Sequence, residues 1–220
     1  MSRGNKRGNK KPQIKKVFAL IVDGDDESWY IEQLKKHERD ILVGLNLRPE
    51  LPKTKGLDVS YKLIEKLEEE GYDKIFWIID FDKIIEETKG SNNGKQTKLD
   101  KLKDYYKKLS RNEKVIIIIN NPCLEYWFLQ HFIQTSKFFS SYDELKEILK
   151  KHIKDYDKTE KFYYNCYGRK GIYSFLKQKL ETAILNSKKL AKFTFNETDV
   201  KSYETGVTEM YKLFEELKIK

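Results

Sequence analysis

Three short runs of almost uninterrupted apolar residues punctuate the chain: Val17 to Val22, Ile75 to Ile79 and Val115 to Ile119. Their length and their β-branched and aromatic make-up predict strands buried on both faces. A weaker extended segment is expected within 41–51, where Pro49 and Pro52 hold it to an edge or end it. Between the runs the apolar spacing changes to three and four. Trp29, Tyr30, Ile31 and Leu34 predict a helix after the first strand. Tyr61, Leu63, Ile64 and Leu67 predict another, capped by Asp58 or Ser60 and stopped by Gly71. A polar loop at about Lys89 to Gly94 precedes a helix near 97–109. Asn120-Asn121-Pro122 reads as an Asn cap with Pro at the first helical position. It leads into a helix from Cys123 to about Ile133 that is apolar nearly all round and hence deeply buried. Beyond Ile133 helical periodicity continues near 141–154, 172–190 and 203–218, with no strand in view. Strands alternating with helices predict an α/β fold with a parallel sheet over 17–135, followed by a helical region over 136–220.

Composition changes this picture mainly at the amino terminus. The formal net charge is +9, and seven basic residues (Arg3, Lys6, Arg7, Lys10, Lys11, Lys15, Lys16) stand before residue 17 with no acid among them. Residues 1–16 are expected to be a disordered tail. A polyanion such as nucleic acid is one partner for it, and a solvated leader is the other reading. Cys123 and Cys166 are too few for a disulfide framework, and with His37, His131 and His152 they form no zinc-ligand spacing. No secretory signal and no membrane-length run is visible, so a reducing cytoplasm is expected. His131 reads as a packed, hydrogen-bonded histidine rather than a catalytic one.

The candidate chemistry lies where the strands end. In an extended chain, positions two apart project to one side, so Asp80 and Asp82 converge. A divalent cation would relieve their repulsion; alternatively, one of them caps the next helix. All strands of a parallel sheet end on one edge, where ligands bind. That edge gathers Asp23 and Glu27 after the first strand, Asp80 and Asp82 after the third, and Glu125 after the last. Glu27 reads equally as a first-turn acid favoured by the helix dipole, and Asp25 and Asp26 read as caps without a further role. Glu125 stands among apolar neighbours, where an unpaired carboxylate is costly. Five carboxylates suffice for one or two Mg2+ or Mn2+ ions. Such a site can cleave phosphodiesters, with Asp23 or Glu27 taking the proton. Lys158, Arg169 and Lys170 are candidates for steering a nucleic-acid backbone. Phe162, Tyr163, Tyr164 and Tyr167 either stack on unpaired bases or simply pack.

Asp23-Gly-x-x-Glu27, Asp80-x-Asp82 and the block Asn121-Pro122-Cys123-Leu124-Glu125-Tyr126-Trp127-Phe128-Leu129-Gln130-His131-Phe132 resemble the RloB family. So do Tyr156-Asp157-Lys158 and a final helix over Ser202 to Leu217. The resemblance implies a Toprim-like, Rossmann-like domain of four parallel strands flanked by helices. It implies a Mg2+- or Mn2+-dependent nuclease related to OLD-type proteins, with metal carboxylates at Asp23, Glu27, Asp80 and Asp82 and a further acid at Glu125. Such proteins act on DNA or RNA, tRNA included, beside an ABC- or AAA-type ATPase in anti-phage defence, as in the AbiL abortive-infection pairs. One departure is Asp23, where the family usually carries Glu. The shorter side chain shifts the metal or removes a general base there. No ATP-binding P-loop is present, so ATP dependence must come from another protein. Two other functions are open: Asp23 and the basic tail fit a catalytically weak nucleic-acid-binding subunit that senses or recruits for an ATPase, and Asp80-x-Asp82 after an apolar strand fits a phosphoaspartyl phosphatase.

Overall fold

The computed structural model describes residues 15–52, 56–90, 96–195 and 203–220; most of the basic tail lies outside them. Four parallel strands, β1 (Lys16–Ile21), β2 (Leu45–Glu50), β3 (Lys74–Asp80) and β4 (Val115–Asn121), form the sheet. A short fifth strand, β5 (Val207–Thr208), pairs antiparallel with β4, and the order is β2-β1-β3-β4-β5. Pro49 falls in β2, an edge strand paired on one side only, where a missing backbone donor costs nothing.

Alternation along the strands builds two cores. Phe18, Leu20, Phe76, Ile78 and Ile118 face one side, with α1 (Asp25–His37), α5 (Leu124–Gln130) and the C-terminal helices. Ala19, Ile21, Ile75, Trp77, Ile79, Ile117 and Ile119 face the other, against α2 (Leu57–Glu69) and α4 (Lys98–Leu109). The helix α1 connects β1 to β2, and α2 crosses back over β1 to reach β3. The winding therefore reverses between β1 and β3, and the crevice outside their carboxyl ends is where α/β sheets bind ligands.

Several elements differ from expectation. Gly56, not Asp58 or Ser60, precedes α2, and Asp58 instead accepts from Lys101 (2.7 Å) and Tyr105 (2.6 Å). A helix, α3 (Phe81–Lys89), starts directly after β3, so Asp82 is helical rather than extended. Asn120 and Asn121 end β4 instead of capping α5, which has Cys123 at its N-cap. Their side chains hold the returning C-terminal segment. Thr208 Oγ1 donates to Asn120 Oδ1 (2.7 Å), and Asn121 Nδ2 donates to the carbonyls of Tyr203 (2.7 Å) and Thr205 (2.9 Å). The region after 135 therefore adds a strand to the sheet. Its described helices are α6 (Tyr142–Leu149), α7 (Glu160–Arg169), α8 (Gly171–Lys177), α9 (Leu180–Lys189) and α10 (Tyr211–Leu217). The last of these is much shorter than the expected Ser202–Leu217 helix, of which Ser202 lies outside the described residues.

His131 is packed, as its surroundings in the sequence implied. Its ring meets Trp127 edge-on, and Nδ1 donates to the Trp127 carbonyl at 3.0 Å. Burial holds its pKa down at about 4, against 6.5 ordinarily. The unfolded chain therefore binds a proton between those values that the native state refuses, and stability falls as pH drops from about 6.5 to 4. The loss is on the order of 3 kcal/mol. Urea titrations of parent and His131→Gln across that window should show the acid-side slope flattened in the variant; parallel slopes would refute the assignment.

Candidate functional site

The even-numbered residues of β3 face α1 and α5, so Asp80, the next even position after Ile78, emerges on that same side. It is 2% exposed, and neither carboxylate oxygen has a hydrogen-bond donor among the described residues. Burial, then the neighbouring Glu27 charge, raises its pKa well above the ordinary carboxylate value. Glu27 enters from the first turn of α1, also buried, with Oε2 unpartnered. Burial, then the Asp26 charge, lifts its pKa to about 7, and the nearby Asp80 carboxyl and the Lys83 and Lys158 charges offset part of that rise. Gly24 makes this crowding possible. A Cβ there would run into the Glu27 carboxylate and lie 2.7 Å from Asp26 Oδ1, so a side chain would displace both acids.

Glu125, on the first turn of α5, is fully buried. Its Oε1 accepts from the Tyr156 hydroxyl at 2.9 Å and lies 3.1 Å from Lys158 Nζ, while Oε2 has no partner. The Tyr163 hydroxyl, 3.2 Å from that of Tyr156, completes the chain of donors. Burial and the Glu125 charge raise both phenols well above their usual pKa, so they remain neutral donors. Lys158 also pairs with Asp26 Oδ2 at 2.7 Å, and its ammonium lies 5.1 Å from the Tyr142 ring centroid. Burial opposes its charge, yet Glu125 and Asp26 hold it protonated with a raised pKa. Asp82 is half-buried at the start of α3, which its own N–H ties to the Pro122 carbonyl (3.0 Å). Burial raises its pKa as well. Asp23, half-buried between β1 and α1, and Asp80, Glu27 and Asp26 together raise the pKa of Lys83 against the effect of its burial.

Asp23, Glu27, Asp80, Asp82 and Glu125 thus cluster at the carboxyl edge, and Lys158 reaches into the cluster. Arg169 and Lys170 do not. The Lys170 carbonyl lies 3.1 Å from His37 Nε2, at the far end of α1. Ten residues of helix separate His37 from Glu27, about 15 Å at 1.5 Å per residue. Asp26, read as a cap, is instead a buried partner of Lys158. The apolar stripe through Tyr30, Ile31 and Leu34, extended back by one turn, already passes through positions 26 and 27. Lys83 lies on α3, which the periodicity did not reveal.

The donor set is all-oxygen, and three of its buried carboxyl groups (Glu27, Asp80 and Glu125) carry oxygens without partners, which suits a hard divalent cation. The side chains are not gathered into a ready-made shell: among the described residues no three His, Cys, Asp or Glu are disposed to hold a metal ion as they stand.

Sheet order, switch-point crevice and buried acids together define a Rossmann-like α/β protein with an acidic pocket at its ligand-binding edge. The sequence profile described as RloB-like protein matches residues 18–217, and the chain belongs to the RloB-like family. No curated protein and no solved structure matches it. No helix of the described residues is long and apolar enough to cross a membrane.

Six acids around two lysines make the cluster self-repelling. The native state keeps a proton on Glu27 up to about pH 7, whereas the unfolded chain releases it near 4.5, so this contribution to stability fades as pH rises through 7. Asp80→Asn removes one of the repelling charges. In chelator, thermal melts should show the variant gaining on the parent as pH rises from about 5 to 8, by about 1–3 kcal/mol. A difference independent of pH would show that the carboxylates do not interact.

Proposed function

We propose that this chain is a divalent-metal-dependent nuclease whose reacting centre is the crevice between β1 and β3. The observation that carries this reading is the surplus of buried carboxylates, with oxygens on Glu27, Asp80 and Glu125 that no protein donor satisfies. Unpaired buried anions are costly and call for protons or cations. Asp23, Glu27, Asp80 and Asp82 are the residues that would hold Mg2+ or Mn2+. When bound, such an ion activates water and stabilises charge on a phosphoryl group.

The chain's own groups supply the rest. Whichever of Asp23 and Glu27 the ion does not engage can accept a proton from an attacking water. Tyr156 and Lys158 fix the Glu125 carboxylate from two directions, and Lys158 brings a fixed positive charge to the edge of the pocket. Family membership supports a Toprim-like nuclease of DNA or RNA, tRNA included, in anti-phage defence. It would act in the cytoplasm beside an ABC- or AAA-type ATPase, since the chain has no P-loop of its own.

One observation favours a second reading. The Lys158 ammonium already pairs with Asp26 and Glu125, so these two acids are partly compensated without a metal ion. A phosphoaspartyl phosphatase is disfavoured, because Asp80-x-Asp82 lies mid-chain, with a strand and the Asp23 cluster before it.

Incubation of the purified chain, with and without its ATPase, with plasmid, single-stranded DNA and tRNA separates these readings. Product should form with Mn2+ or Mg2+, vanish in chelator, and fall at least about 100-fold in Asp80→Asn and Glu125→Gln. Binding without any metal-dependent product would establish the second reading.

A further inference from the structure

On the far side of the segment that carries Lys158 lies a second cavity, of about 480 Å³, lined by Lys154, Asp155, Lys161, Phe162, Asn165 and Tyr167 among others. Asp157 and Thr159 face it, while the intervening Lys158 side chain turns the other way into the acidic pocket. One thickness of chain therefore separates the two. A nucleotide needs a cavity of this order of volume.

Two flat rings form part of its wall. Phe175 stacks on Tyr167 with centroids 3.8 Å apart and planes within 5°. Tyr167 borders the cavity and Phe175 does not, so the stack backs a ring that faces the opening. Phe162 meets Tyr156, the donor to Glu125, edge-on at 5.4 Å and 82°. It thereby links the cavity wall to the acid cluster. The backbone here is held in a costly form. Tyr167 (φ +51°) and Asp155 (φ +56°) are both left-handed residues without the freedom of glycine, and Tyr167 interrupts α7. Such strain gathers where a ring must be presented at a set angle. At the rim, Lys154 and Lys161 are exposed and form no ion pair among the described residues, whereas Asp157 is already paired with Lys146 at 3.2 Å. Asp155 is left as the opposing acid. Asn165 adds an amide that can both donate and accept.

Building on the nucleic-acid reading above, we propose that this cavity seats an unpaired nucleobase of the bound strand. The base stacks on Tyr167 and Phe162, and Lys154 and Lys161 hold the adjoining phosphates. The substrate class is then single-stranded or looped nucleic acid, because a base inside a duplex cannot present its face to the rings.

Fluorescence anisotropy of the full chain in chelator, with short labelled oligothymidylate and oligouridylate against a duplex of equal length, tests this apart from any cleavage. Single strands should bind more tightly than the duplex. Phe162→Leu should weaken single-strand binding about tenfold and leave duplex binding unchanged. Lys154→Ala/Lys161→Ala, at exposed positions that keep the fold, should weaken it and flatten its salt dependence. The lysines and arginines before residue 17 attract any polyanion in every variant alike, so the differences isolate the cavity. Equal binding of duplex and single strand, or parent-like affinity in both variants, would overturn the proposal. Loss of single-strand binding in Phe162→Leu with no cleavage under any condition would sustain it while removing the nuclease reading. Metal-dependent cleavage unaffected by either variant would do the reverse.

Discussion

Negative charge packed out of water is the constraint around which this molecule is arranged. Glu27, Asp80 and Glu125 are each 2% exposed or less, and like charges at such depth repel far more strongly than on a surface. The fold answers with three devices. Burial and mutual repulsion raise the pKa of Glu27 and Asp80 so that each holds a proton more firmly, Lys158 inserts an ammonium between Asp26 and Glu125, and Tyr163 and Tyr156 relay a hydrogen bond to Glu125. Removing one partner of such a network leaves a buried charge without compensation, which costs more than the pair contributes when intact.

The sheet dictates where this charge collects. Strict alternation sends Phe76, Ile78 and Asp80 to one face, and α1 and α5 pack on that face with Glu27 and Glu125 in their first turns. The reversal of winding between β1 and β3 opens the crevice at that point. β4 is held from its other side by β5 and by the side chains of Asn120 and Asn121, so the loop leading to α5 has little freedom. Gly24 lets the Asp26 and Glu27 carboxylates fold back against the turn without obstruction.

Much of this was legible in the order of residues, and the failures have physical causes. β1, β3 and β4 are apolar runs that only a doubly covered strand requires, and the convergence of their carboxyl ends follows from parallel pairing. The helix α3 was hidden because Phe81, Ile84 and Ile85 prolong the apolar run of β3, so Asp80-x-Asp82 read as extended. β5 is two residues long and exists only through its pairing with β4, which no local pattern encodes. Asn121-Pro122 carries the signature of a helix start, yet both Asn121 donor bonds go to a segment some eighty residues away. Arg169 and Lys170 were grouped with the site because they are basic; distance along the sequence says nothing about which end of α1 a turn approaches.

Lys158 bears on whether the pocket needs a second cation at all. An ammonium supplies one positive charge and at most three donors. Here it spends them on Asp26 Oδ2 and Glu125 Oε1, with the Tyr142 ring beneath it. The oxygens without partners are others: Glu27 Oε2, both oxygens of Asp80, and Glu125 Oε2. A lysine that merely replaced a metal would be expected to reach the most crowded of these, and this one does not. Its position instead compensates Asp26 and one oxygen of Glu125, and leaves Glu27 and Asp80 to protons and to the charge of Lys83. A divalent ion, were one to bind, would therefore draw on oxygens that Lys158 does not use.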